Sequence, residues 1–123
     1  MGQAIPVLKI EDEDLARSFY VDSLGFKVDW DWRHEPDLPI YMGLSRDGWV
    51  IHLTEHAEDC DPGGAVYFIA DNVTEFLQEL KRNNPGMENE LVEQPWGQTE
   101  LMLLDPFQNK LRFATPTKNL QEK

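Results

Sequence analysis

The sequence predicts an α+β fold: a single domain, residues 1–123, built from two βαβββ modules that press together as a cupped half-barrel. Three observations predict it. The elements read β-α-β-β-β twice in succession. The two readings repeat at an offset near sixty residues, with Ile5 aligning with Ala65. Each half, a curved sheet with one helix, is too small to bury its own face well, so the halves need each other. Module one covers about 4–55 and module two about 64–115. A length of 123 residues fits one domain, and a 41% hydrophobic content is enough for a real core.

Ile5 to Ile10 is short and β-rich, with Pro6 near its start, and reads as the opening strand. Glu11 to Asp14 then offer a cap and dipole-favoured acids to a helix whose apolar stripe is Leu15, Phe19 and Tyr20. Leu24-Gly25 ends it, since glycine takes the left-handed conformation without strain. Phe26 to Trp32 alternates, which puts Phe26, Val28, Trp30 and Trp32 on one face and Lys27, Asp29 and Asp31 on the other. Arg33 to Pro39, with two prolines, reads as a loop. Ile40 to Ser45 and Trp49 to Thr54 flank Arg46-Asp47-Gly48, whose Asp-Gly pair predicts a hairpin turn. Glu55 to Gly64, polar and rich in Gly and acid, connects the modules.

The second module opens with a strand at Ala65 to Ala70. Asp71 or Asn72 caps a helix whose stripe, Val73, Phe76, Leu77 and Leu80, has helical spacing. Asn83-Asn84-Pro85-Gly86 stops it. Strands follow at Glu90 to Glu93, Thr99 to Leu104 and Lys110 to Ala114, the last two joined by the turn Asp105 to Asn109.

Eleven Lys and Arg against 23 Asp and Glu give a net charge of −12. Such a chain repels phosphate backbones and anionic membrane surfaces, so nucleic acid and membranes are not expected as partners. The charge is uneven: residues 1–62 hold 5 basic and 14 acidic side chains, residues 63–123 hold 6 and 9. A partner chosen by electrostatics would be cationic and would meet the first half. One cysteine, Cys60, excludes an internal disulfide framework and a cysteine-based zinc site. The longest apolar runs, such as Leu101 to Leu104, are far too short to span a membrane. The first residues lack the basic and apolar stretches of a signal peptide, so a cytoplasmic protein is expected.

Two segments resemble the vicinal-oxygen-chelate superfamily, which includes glyoxalase I, extradiol dioxygenases, fosfomycin-resistance proteins and bleomycin-resistance proteins. They are Phe19-Tyr20-Val21-Asp22-Ser23-Leu24-Gly25-Phe26, similar to its helix-to-strand signature, and Asp105-Pro106-Phe107-Gln108-Asn109-Lys110-Leu111-Arg112-Phe113, similar to its Asp-Pro-x-x-Asn-x-Leu-x-Phe ending. Glu93-Gln94-Pro95-Trp96-Gly97 looks most like the bleomycin-resistance branch. The resemblance implies the glyoxalase/bleomycin-resistance fold over nearly the whole chain. It also implies four positions where the superfamily's enzymes carry metal ligands. These fall on Ile5, His52, Ala65 and Arg112. Only His52 has a lone pair suited to a divalent metal, and one imidazole cannot hold zinc, iron or manganese, so no metal and no other cofactor is expected.

His52-Leu53-Thr54-Glu55-His56 matches the His-x-x-Glu-His pattern of inverted zinc proteases. That motif needs a helix, and Trp49 to Thr54 reads as a strand, where four residues span roughly 13 Å. His34 and His56 read as solvated loop positions. Asp59 and Asp61 blunt the Cys60 thiol, and no other nucleophile has a recognisable base, so no catalytic residue is assigned.

What remains is an aromatic and acidic surface. Trp30, Trp32, Tyr41, Trp49 and Trp96 exceed what a small core needs, and Asp29-Trp30-Asp31-Trp32 interleaves indoles with carboxylates. Aromatic faces stack on flat heterocycles and attract cations. The resemblance places the drug-clamping positions of bleomycin-resistance proteins on Tyr41 and Trp96, in grooves formed by a homodimer. The candidate ligand-binding residues are therefore Tyr41, His52, Trp96, Arg112, Trp30 and Trp32. The expected function is metal-free binding of a cationic or aromatic small molecule, such as antibiotic sequestration. Two alternatives stand beside it: an enzyme of the same superfamily (lyase, dioxygenase or thiol transferase), and a non-catalytic regulatory module.

Overall fold

A computed structural model describes residues 2–121. The chain divides into two compact units. The first holds the residues up to Gly64 together with Asp105–Asn109, and the second holds Ala65–Leu104 together with the chain from Lys110 onward.

The first unit runs β1 (Val7–Lys9), α1 (Glu13–Arg17), β2 (Lys27–Arg33), β3 (Ile40–Arg46) and β4 (Trp49–Thr54). Its sheet has the order β1-β4-β3-β2, with β1 parallel to β4 and the other pairs antiparallel. The second runs β5 (Ala65–Ile69), α2 (Val73–Asn83), β6 (Val92–Glu93), β7 (Gln98–Leu104) and β8 (Lys110–Pro116), with the order β5-β8-β7-β6. Its β5 and β8 are parallel, as β1 and β4 are. The repeat of βαβββ read from the sequence is therefore present element for element, and the fold class is α+β. A short α3 (Thr117–Gln121), which the sequence pattern did not announce, follows β8.

Local chemistry explains the boundaries. Asp12 caps α1 by accepting from the Leu15 amide at 3.0 Å, and Asn72 caps α2 by accepting from the Glu75 amide at 3.1 Å. Asp47 and Gly48 have φ of 51° and 87°, both left-handed, as a two-residue hairpin turn between β3 and β4 requires. The stripe of α2 is buried throughout, and Phe113 of β8 lies under it, 4.7 Å from Phe76 and stacked on Phe68 at 4.5 Å.

The stripe predicted for α1 is different. Leu15 is half exposed, and the buried line is Ala16, Tyr20 and Leu24. After Arg17 the helix widens into π-helical turns over Ser18–Ser23, so ordinary helical spacing no longer tells which side faces inward.

The Asp105–Asn109 turn belongs to the first unit through hydrogen bonds. The buried Asp105 carboxylate accepts from the Tyr20 hydroxyl at 2.6 Å and from the amides of Phe107 and Asn109, each at 2.8 Å. It also accepts from Asn109 Nδ2. Asn109, fully buried, donates from Nδ2 to the Lys9 carbonyl and accepts from the Gly64 amide. Burial raises the Tyr20 phenol far above its ordinary range, and the Asp105 charge and hydrogen bond raise it further. Asp-Pro-x-x-Asn is thus a structural knot in this chain.

Candidate functional site

A β-bulge decides where the tryptophans point. Val28 pairs with Leu44, but Trp30 pairs with Gly43, so Asp29 is the extra residue. A bulge shifts the alternation by one, and every later side chain changes face. The prediction that Phe26, Val28, Trp30 and Trp32 share a face is corrected here. Val28 pairs with buried Leu44, whereas Trp30 and Trp32 lie with Tyr41, Gly43 and His52 on the opposite face of the sheet. Asp31 and Arg33 turn toward α1, where Arg17 bonds Asp31 at 3.0 Å and Glu13 pairs with both Arg17 and Arg33. Asp29 sits 3.7 Å from Lys27. The carboxylates between the indoles are thus turned away from the aromatic surface or ion-paired.

That surface is tightly organised. Trp30, 46% exposed, lies parallel to Tyr41, with rings 5.8 Å apart and 7° between planes. His52 meets both edge-on, at 5.1 Å from Trp30 and 5.2 Å from Tyr41. Its Nδ1 is 2.8 Å from the Tyr41 hydroxyl. Burial lowers the His52 pKa below its ordinary value, because desolvation disfavours the charged imidazolium. Burial, then the charges of Asp59 and Cys60, raise the Tyr41 phenol. Gly43, in the row between Trp30 and His52, makes this possible: a Cβ there would come within 2.5 Å of the indole. Trp32 stacks on His56 at 6.3 Å, with His34 at 6.0 Å on an edge. His56, expected to be solvated, therefore has an aromatic partner, and its Nε2 is buried with no hydrogen bond among the described residues.

Trp96 and Arg112 stand on the second unit. The turn from Gln94 to Gln98, with φ of 89° at Gly97, carries Trp96 outward, and the residue is 61% exposed. Its indole N–H donates to Glu100 at 3.3 Å. Glu100 also accepts from the Tyr67 hydroxyl at 2.7 Å and from Gln94 Nε2 at 3.2 Å. This buried carboxylate therefore fixes Tyr67 and Trp96 beside one another. Sequence reasoning missed Glu100 and Tyr67; a lone acid within Thr99 to Leu104 was the available signal, but a charged residue in a strand reads as a solvated one. Burial raises the Tyr67 phenol, the Glu100 hydrogen bond adds to this, and nearby Arg112 opposes it. Tyr67 also lines a cleft of about 390 Å³ with Ala65, Val66, Lys110 and Arg112.

The side chains do not fit a metal. In register, Val7 stands beside His52 and Tyr67 beside Arg112, while Ala65 pairs with Lys110 and Ile5 precedes β1. Among the described residues no three His, Cys, Asp or Glu side chains are grouped so as to hold a metal ion. His52 and His56 are not on a helix, since β4 ends at Thr54. Burial raises the Cys60 thiol, with Asp59 and Asp61 adding and Lys9 opposing. Among the described residues no helix is long and apolar enough to cross a membrane.

Two four-stranded mixed sheets, each from a βαβββ unit, define the glyoxalase/bleomycin-resistance fold class. The chain belongs to the glyoxalase superfamily: the family model described as "Glyoxalase superfamily protein" matches residues 1–119. Solved structures agree on the fold. A bleomycin-binding protein complexed with bleomycin is 24% identical, with a TM-score of 0.70, covering 94% of this chain and 98% of that one. A bleomycin resistance determinant encoded on the transposon Tn5 is 22% identical, with a TM-score of 0.73 and the same coverage. An antibiotic-binding protein from Streptomyces sp. CB03234 is 18% identical, with a TM-score of 0.69, covering 94% of this chain and 97% of that one. No curated protein sequence matches the chain.

Proposed function

We propose that this chain, acting as one ligand-binding domain, holds a flat aromatic small molecule without a metal; that a bleomycin-binding protein and an antibiotic-binding protein share its fold supports the small-molecule part of this reading. The observation that carries this reading is the Trp30 indole laid across Gly43, parallel to Tyr41 and half exposed. An exposed indole held in one orientation is a preformed stacking surface whose ordering cost is already met by the fold. On the first sheet, taken by itself, the proposed ligand contacts are Trp30, Trp32, Tyr41 and His52; on the second, taken by itself, they are Trp96 and Arg112. The aromatic part of the reading has this local support. The charge of −12 would draw a cationic ligand at long range, but Asp29 and Asp31 do not face the indoles.

The test is Gly43→Ala, which forces the Trp30 indole off Tyr41. Because the indole is half exposed it can move, so the melting temperature should change little. Tryptophan emission should shift, and affinity for a neutral flat probe, 2-naphthamide, should fall about tenfold, the worth of one stacking contact. Unchanged affinity alongside an altered emission spectrum would place binding elsewhere.

We also propose a homodimer. Each sheet ends on edge strands, and β2 presents seven residues of edge with the half-exposed Trp32 on it. Long edges of this kind are normally covered. Light scattering should give about twice the 14.3 kDa chain mass, and a concentration-independent mass of 14.3 kDa would overturn the proposal.

A further inference from the structure

The cleft on the second sheet bears on the kind of ligand, and this inference rests on the small-molecule reading above. Lys110 and Arg112 alternate along β8 and so project from the same face. In register their cross-strand neighbours are all uncharged: Ala65 and Leu104 flank Lys110, and Tyr67 and Met102 flank Arg112. The nearest acid on that face is Glu100, diagonal to Arg112. It is buried and already accepts three neutral donors from Tyr67, Gln94 and Trp96. Neither cation forms an ion pair or hydrogen bond among the described residues. In a chain with 23 acids and 11 basic residues, two cations without an ion pair among the described residues thus line one cleft of about 390 Å³.

We infer that this cleft is an anion subsite: Arg112 and Lys110 engage a carboxylate, phosphate or sulfate group of the ligand, while Tyr67 and Trp96 offer their rings to its aromatic part. Arg112 can donate two parallel N–H bonds to such a group, and Lys110, two residues along, adds a second charge. Glu100 acts as a positioning residue, because its hydrogen bonds orient both rings. The overall charge of −12 opposes anions at long range, so the subsite works at contact distance, where screening matters little.

The experiment uses the intact protein and two probes of one shape, 2-naphthoate and 2-naphthamide, titrated calorimetrically at fixed ionic strength. The charged probe should bind roughly tenfold more tightly, as charge-assisted hydrogen bonds are worth that much over neutral ones. Arg112→Gln should remove most of that preference, and Arg112→Lys should restore part of it. Inorganic phosphate should shift the amide resonances of Lys110, Arg112 and Tyr67, whereas chloride at equal ionic strength should not. Equal affinity for the two probes, with no phosphate response, overturns the subsite and leaves the aromatic reading standing. Failure of both naphthyl probes to bind, with the phosphate response present, sinks the aromatic reading and keeps the subsite; failure of all three sinks both.

Discussion

Asp105→Ala should lower the stability of the protein by about 3–5 kcal/mol. The carboxylate is 4% exposed and accepts from four donors: the Tyr20 hydroxyl, the Phe107 and Asn109 amides, and Asn109 Nδ2. Truncation leaves the Tyr20 hydroxyl and the Phe107 and Asn109 amides without a partner in a place water does not reach, while Asn109 Nδ2 keeps the Lys9 carbonyl, and each buried orphan costs about 1–3 kcal/mol before relaxation. The Asn109 side chain, which also ties the turn to Lys9 and Gly64, loses one of its anchors. For a domain of this size the melting temperature should drop by roughly 10–20 °C. Tyr20→Phe removes one donor and leaves the carboxylate three, so it should cost only about 1–2 kcal/mol. Calorimetric melting of both variants beside the parent checks the ranking. Equal loss in the two would mean that the Tyr20 bond, and not the knot as a whole, holds the turn.

The same residues show what the sequence could and could not reveal. Local signals were enough for the elements. Caps at Asp12 and Asn72, the Asp47-Gly48 turn and the α2 stripe each act within a few residues, and each is found where local chemistry puts it. Alternation failed at Asp29 because a bulge is set by pairing with β3, and no property of Lys27 to Arg33 announces it. That one inserted residue turns Trp30 and Trp32 to the same face as Tyr41 and His52. The Asp105–Asn109 motif was visible as a family signature. Its role was hidden, because its partner Tyr20 lies 85 residues away. The Glu100 node was hidden for a similar reason: Tyr67, Gln94 and Trp96 come from separate elements and meet only through strand pairing. Of the residues proposed for the site, Trp30, Tyr41 and His52 are in mutual contact and Trp32 stacks on His56. Trp96 and Arg112 each neighbour Tyr67, which no sequence pattern had singled out.

Trp96→Ala and Trp49→Ala should separate binding from stability. Trp96 is 61% exposed, sits on a turn, and donates a long hydrogen bond of 3.3 Å to Glu100. Glu100 keeps its Tyr67 and Gln94 partners when the indole is gone, so the fold should lose less than about 1 kcal/mol. The ring would nonetheless be a stacking surface for the ligand, and stacking with burial of one ring is typically worth about 1–3 kcal/mol. Affinity for 2-naphthoate should therefore fall roughly tenfold to a hundredfold. Trp49 is the contrast. It shares a strand face with buried Ile51 and Leu53 and packs 6.4 Å from Phe26, whose ring is itself against Tyr20. Removing it opens a gap in that cluster, and large-to-small changes at such positions cost about 3 kcal/mol or somewhat less where the ring is partly exposed. Its variant should melt early and bind normally at temperatures where it remains folded. Titration and melting of the two variants side by side give four numbers, and the expected pattern is crossed: one variant loses affinity, the other stability. If Trp96→Ala binds 2-naphthoate as the parent does, Trp96 has no part in the subsite, and Tyr67 and Arg112 must hold the ring and its charge without it.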